Sequence, residues 1–198
     1  MPSKHPNKKQ QRRRKKPVKQ PASFSVEELT ESASVAFANQ ELVAALTLYN
    51  AAIDTQAKLL ETCTADESKR RILQDRHGSL LEKRAETKTE LGDPDGARAD
   101  YQQALDLHKA TETLKSNPSW YEKAASLNLY IGQTSAGAEA VVAYERALSI
   151  LETCRTQCQQ ASDTNAVVEV TRQLSSVCCN AAEVYLTDLC EELDAEQK

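Results

Sequence analysis

The residues of this sequence with chemistry to offer are its thiols, its imidazoles and two runs of charge. Cys154 and Cys158 stand one helical turn apart, close enough in a helix to share a metal ion. Cys63, Cys178, Cys179 and Cys190 add no Cys-x-x-Cys pair, so the thiols are read as small packing residues at helix contacts. His5, His77 and His108 are scattered, and no Gly-rich phosphate loop, Gly-x-Ser-x-Gly or His-Glu-x-x-His sequence accompanies them. No catalytic residue, metal or cofactor is assigned, and an enzyme is not expected. The charges are more informative. Glu82, Glu86 and Glu90 recur every four residues, one stripe down a helix. Like charges at that spacing cost stability, and a cationic ligand offsets the cost.

The opposite charge lies at the N-terminus. Residues 1–20 hold nine of the 25 Lys and Arg residues and none of the 29 Asp and Glu residues. The remainder keeps 16 basic against 29 acidic residues, a net −13. Lys8, Lys9, Arg12, Arg13, Arg14, Lys15 and Lys16 read as a nuclear import signal or a polyanion-binding arm. Nearly continuous charge and a lack of apolar anchors make residues 1–22 a disordered basic tail. An acidic body repels nucleic acid and attracts basic partners. No uncharged apolar run approaches the ~18 residues of a membrane span. The basic start has no apolar stretch behind it, so it is no secretory signal, and the six thiols are expected to be reduced.

The elements that position these residues are helices. With nine aromatic residues, five Gly and six Pro in 198, the apolar mass is Ala, Leu and Val, which suits helices and argues against a sandwich or barrel. The periodicity predicts helices over 25–38, 41–61, 66–91, 94–115, 118–133, 137–159 and 165–189, with a further start at 191. Ser25 to Glu28 is a capping box, and Thr64 to Glu67 repeats its pattern. Asp93-Pro94 and Asn117-Pro118 each place an acceptor before a Pro in the first helical turn, and Asp163-Thr164 opens the last long segment.

These helices repeat in pairs. Ala33, Ala45, Tyr49 and Ala52 are matched by Ala85, Ala97, Tyr101 and Ala104, and again by Asn128, Ala140, Tyr144 and Ala147, with identical intervals. A small residue on each of two antiparallel helices lets their backbones approach. The Tyr four residues on fills the groove toward the next pair. This spacing resembles the tetratricopeptide repeat, although the distances between sets exceed the family's ~34 residues. The resemblance implies an all-α solenoid of antiparallel helix pairs over 23–198, as three repeats plus a partial fourth. It also implies that the first helix of each pair lines a concave face. The Glu82, Glu86 and Glu90 stripe then points inward, and Glu122 and Asp188 occupy inward positions on the following first helices.

Two segments resemble something narrower. Tyr130-Ile131-Gly132-Gln133, Gly137-Ala138-Glu139-Ala140 and Ala143 to Leu151 are similar to the third-repeat region of the dedicated assembly chaperones of the large-subunit ribosomal protein L-four. Ala181 to Cys190, continuing through Asp194-Ala195-Glu196, is similar to that family's Tyr-Met-Thr-Asp-Leu-Cys segment, with Leu186 in place of Met. The resemblance implies a non-enzymatic protein of nucleus and cytoplasm. It would shield a basic ribosomal protein by binding its internal loop, with the tail engaging the import machinery. No small-molecule substrate, membrane or nucleic acid partner of the body is implied. A tetratricopeptide adaptor for heat-shock proteins, gripping a terminal carboxylate at Thr30, Ser34, Lys83, Glu122 and Ser126, is the alternative; only Lys83 there is cationic. An RNA-binding protein acting through the tail alone, with the repeats as spacer, and a generic protein-interaction scaffold are the remaining ones. Members of the chaperone family continue with more repeats, whereas this chain stops at Lys198. Truncation is therefore expected, with an exposed apolar strip near Tyr185 and Leu189 that favours self-association.

Overall fold

The turns between helices show why the chain folds back on itself. Gly92 ends a helix in the left-handed region, at φ +78°. Its N–H bonds to Thr89 O and that of Asp93 to Lys88 O, which together satisfy the last carbonyls. Asp93 at once caps the next helix, accepting from Gly96 N at 2.9 Å, with Pro94 in the first turn. Gln40 and Ser162 close two other turns through the same pair of bonds, although both carry side chains in the left-handed region.

The computed structural model describes residues 24–63, 66–110 and 118–189. They form α1 (Val26–Ala38), α2 (Leu42–Thr62), α3 (Glu67–Glu90), α4 (Pro94–Lys109), α5 (Pro118–Gln133), α6 (Gly137–Gln160) and α7 (Thr164–Val184), followed by a π-helical turn at Tyr185–Leu189. The basic tail, Thr64, residues 111–117 and the expected start at 191 lie outside the described residues. Ser25 and Glu28 form the expected capping box. The cap of α3 is Asp66 rather than Thr64, because the Asp66 carboxylate takes Lys69 N at 3.1 Å. Described helix in α4 ends at Lys109, short of the expected 115.

Helices α1 and α2, α3 and α4, and α5 and α6 pack as pairs, with α7 laid on α6. All the Ala and Tyr residues of the three matching sets are buried, and so is Asn128, whose amide donates to Ala124 O at 2.8 Å. Between pairs, Tyr101 of α4 stacks on Tyr130 of α5, the role its position predicts. Gly132 lets the Tyr144 ring lie against its backbone: a Cβ there would fall 2.4 Å from Cε1 of that ring. Cys154 and Cys158 are buried at this contact layer, as expected of packing thiols. Burial, reinforced by the adjoining Cys158, pushes the Cys154 thiol up to about 12. Cys178 and Cys179 depart from that reading and are exposed on α7.

Helix α7 buries Val170, Leu174 and Val177. Val168, Cys179, Ala182 and Leu186 share its opposite, exposed side, with Leu186 74% exposed. Tyr185 is also exposed, whereas the Leu189 side chain lies outside the description.

Candidate functional site

Helix α3 carries two charged stripes, and packing gives them different fates. Arg84 and Lys88 turn toward α4, where Asp100 is 4% exposed. The Arg84 guanidinium grips both Asp100 oxygens, at 2.8 and 2.7 Å, and Lys88 Nζ lies 2.8 Å from Oδ2. Arg84 also donates to Asn50 of α2 at 3.0 Å, which ties three helices together. His77, buried on the same helix, has its pKa lowered by burial first and by the Arg84 charge second.

The glutamate stripe turns toward α5, the first helix of the next pair. Glu82 and Glu86 line a cleft of about 310 Å³ between α3, α4 and α5, with Lys83, Tyr101, Lys123 and Tyr130. Lys123 of α5 pairs with Glu82. Glu86 and Glu90 are exposed and have no ion-pair partner among the described residues. Burial and then the Glu86 charge push the Tyr101 phenol up to about 12. Negative potential at the cleft floor is therefore felt by its own aromatic residue.

Two further clefts adjoin. One, of about 310 Å³, lies between α1 and α3 and contains the Glu27–Arg76 pair. The other, of about 270 Å³, is lined by Asp75, His108 and Trp120, with the His108 and Trp120 rings stacked 5.0 Å apart. Ser79 lines all three, so they form one branched groove on the side of the first helices.

The groove thus gathers Glu82 and Glu86, with Glu90 one turn beyond, and leaves out two expected members. Glu122 is half-buried beside Cys154, whose thiol it helps to push up, and lines none of the three clefts. Asp188 is committed elsewhere. The cap position of α6 is Ala136, which has no side-chain acceptor, and Asp188 Oδ2 accepts from Gly137 N at 3.0 Å in its place. That bond, with one from Thr187, holds the Asp188 carboxyl below its usual range. Of the carboxylate-clamp positions, Thr30 and Ser34 turn their hydroxyls to carbonyls of α1, at 2.6 and 2.9 Å. Lys123 and Tyr130 are among the groove residues that sequence reasoning missed. The sequence around Lys123 carried a partial signal: its neighbours at three and four residues are Ser119, Trp120, Ser126 and Leu127, so no acid one turn away on its own helix competes for it.

Among the described residues, no three His, Cys, Asp or Glu side chains converge as metal ligands, and no helix is long and apolar enough to cross a membrane. No protein-family profile and no curated protein matches the chain. Solved structures do. The chain is similar to the assembly chaperone of RpL4 (Acl4, residues 1–338), at 24% identity and a TM-score of 0.53, over 88% of this chain and 59% of that one. It is also similar to the yeast histone chaperone Hif1, described as a scaffold recruiting protein complexes to core histones, at 20% identity and a TM-score of 0.56. That likeness covers 83% of this chain and 63% of Hif1. The chain therefore spans less than two thirds of either structure, and these likenesses establish the fold: an all-α solenoid of helix pairs.

Proposed function

We propose that this protein is a non-enzymatic chaperone whose groove on the first helices receives a basic segment of a client protein. The observation that carries this reading is the state of the glutamate stripe. Glu86 and Glu90 stand exposed and without an ion pair among the described residues, at a spacing where they repel each other. The net charge of −13 beyond residue 20 supports a cationic client, as does the solenoid likeness to proteins named as chaperones. The strings at 129–151 and 181–196 favour the large-subunit ribosomal protein L-four, through its basic internal loop, as that client. Residues Lys8 to Lys16 would then address the complex to the nucleus and the import machinery, with the protein shared between nucleus and cytoplasm.

Affinity capture of the full chain from cells, followed by mass spectrometry, tests the client. One dominant basic ribosomal protein is the expected result. Recovery of heat-shock chaperones instead would support the adaptor reading, against which stands the donation of the Thr30 and Ser34 hydroxyls to carbonyls of their own helix. A fusion lacking residues 1–20 tests import. It should become cytoplasmic.

A further inference from the structure

The groove is not evenly built, and one part of it is shaped for a single side chain. In the cleft between α3, α4 and α5, Tyr101 and Tyr130 stack with centroids 5.2 Å apart and planes 24° from parallel. Tyr101 is 5% exposed and supports the pair from below, whereas Tyr130 is 40% exposed and presents its ring to the opening. Lys123 already neutralises Glu82. Glu86 is the carboxylate of this cleft left without an ion pair among the described residues. A ring held rigid by stacking, an open carboxylate beside it and a cleft of about 310 Å³ make a site for a flat cation.

The geometry points to an arginine-selective subsite: an arginine of the client's basic segment stacks its guanidinium on Tyr130 and donates to Glu86. The inference rests on the proposed binding of a basic segment and specifies which basic side chain it must carry. Arginine fits better than lysine for two reasons. Its planar, weakly hydrated head stacks on an aromatic face, and its fork of donors matches a carboxylate. A lysine ammonium is a compact, strongly hydrated point charge and gains less from the ring.

Fluorescence anisotropy with labelled nona-arginine and nona-lysine peptides, on the full chain at fixed ionic strength, tests the subsite. Wild type should bind nona-arginine about two- to fivefold more tightly than nona-lysine. Tyr130→Leu should reduce that preference to near unity, and Tyr130→Phe should keep most of it. Glu86→Gln, at an exposed position that does not threaten folding, should weaken nona-arginine binding about threefold. Equal affinity for the two peptides in wild type, or an unchanged preference in Tyr130→Leu, overturns the subsite and leaves the basic-client reading standing. Should Tyr130→Leu fail to fold, Glu86→Gln decides: unchanged nona-arginine binding overturns the subsite. Absence of binding by either peptide overturns the basic-client reading itself, and the subsite with it.

Discussion

The two charged faces of α3 share a helix and a four-residue spacing, one basic and one acidic, yet the basic face is closed and the acidic face open. Arg84 and Lys88 converge on a buried Asp100 and leave none of its oxygens unused. Glu82 and Glu86 line a groove, with Glu90 one turn beyond; Lys123 pairs with Glu82, and the other two have no ion pair among the described residues. A stripe of charge therefore means little until its partners are counted. Where packing supplies them, the stripe is a structural joint; where it does not, the missing partner is sought outside the chain. Breaking each face should have opposite consequences.

The largest effect is expected on the closed face. Asp100→Ala leaves Arg84 and Lys88, each less than a fifth exposed, without their shared acceptor. Removing one member of a buried ion cluster costs about 3 kcal/mol. Urea unfolding should show that loss, while affinity for a basic peptide stays within a factor of two. A large fall in affinity with intact stability would mean that the closed face, too, serves binding.

Next comes the pH dependence of that joint. His77 has a folded-state pKa below its ordinary value, because burial and the Arg84 charge both disfavour the imidazolium. The unfolded chain therefore binds the proton more readily than the folded one. The stabilisation is present above the unfolded value of about 6.5 and is lost as pH falls from there toward the depressed folded value. His77→Leu should flatten the stability profile in that window. Urea midpoints measured from pH 7.5 to 5 check it, and an equal slope in wild type and variant would refute the assignment.

The open face should respond in the other direction. Glu86→Gln with Glu90→Gln removes an i,i+4 repulsion and should raise stability by about 0.3 kcal/mol, or at least leave it within about 0.5 kcal/mol. Affinity for a basic peptide should fall by about 1 kcal/mol and lose part of its salt dependence. Titration calorimetry at two salt concentrations gives both numbers.

Much of this architecture was legible beforehand, because helix pairing depends on residues that announce themselves. Ala33 with Ala45, and Ala85 with Ala97, are small where two backbones must approach, and Tyr101 is large where the next pair must be met. What stayed illegible depends on juxtaposition across the chain. Asp188 caps α6 from 51 residues away, and nothing near Asp188 or Ala136 signals it. Gln40 and Ser162 take the left-handed turn position that only Gly92 marks by its identity. Thr64 and Asp66 both offer a capping oxygen, and pattern alone did not separate them. The acidic stripe was legible as a stripe, but its partial neutralisation required knowing that Lys123 faces Glu82.

The smallest expected effect sharpens the comparison most, because it concerns a cation on the open face. Lys83 is exposed and lines both the α1–α3 cleft and the Tyr130 cleft, with no ion pair among the described residues. It stands three residues before Glu86, near enough to compete with an incoming cation for that carboxylate. Lys83→Gln should tighten a basic peptide about twofold, a difference of ~0.4 kcal/mol within the range of exposed charge pairs. The gain should shrink as salt rises and vanish in a Glu86→Gln background, since the two charges act on one ligand group. A terminal-carboxylate ligand makes the contrary demand: Lys83 would be its main cation, and Lys83→Gln would then weaken binding. The sign of one substitution, measured with a basic and an acidic peptide, thus separates a groove that uses its unpaired glutamates from one that uses its single unpaired lysine.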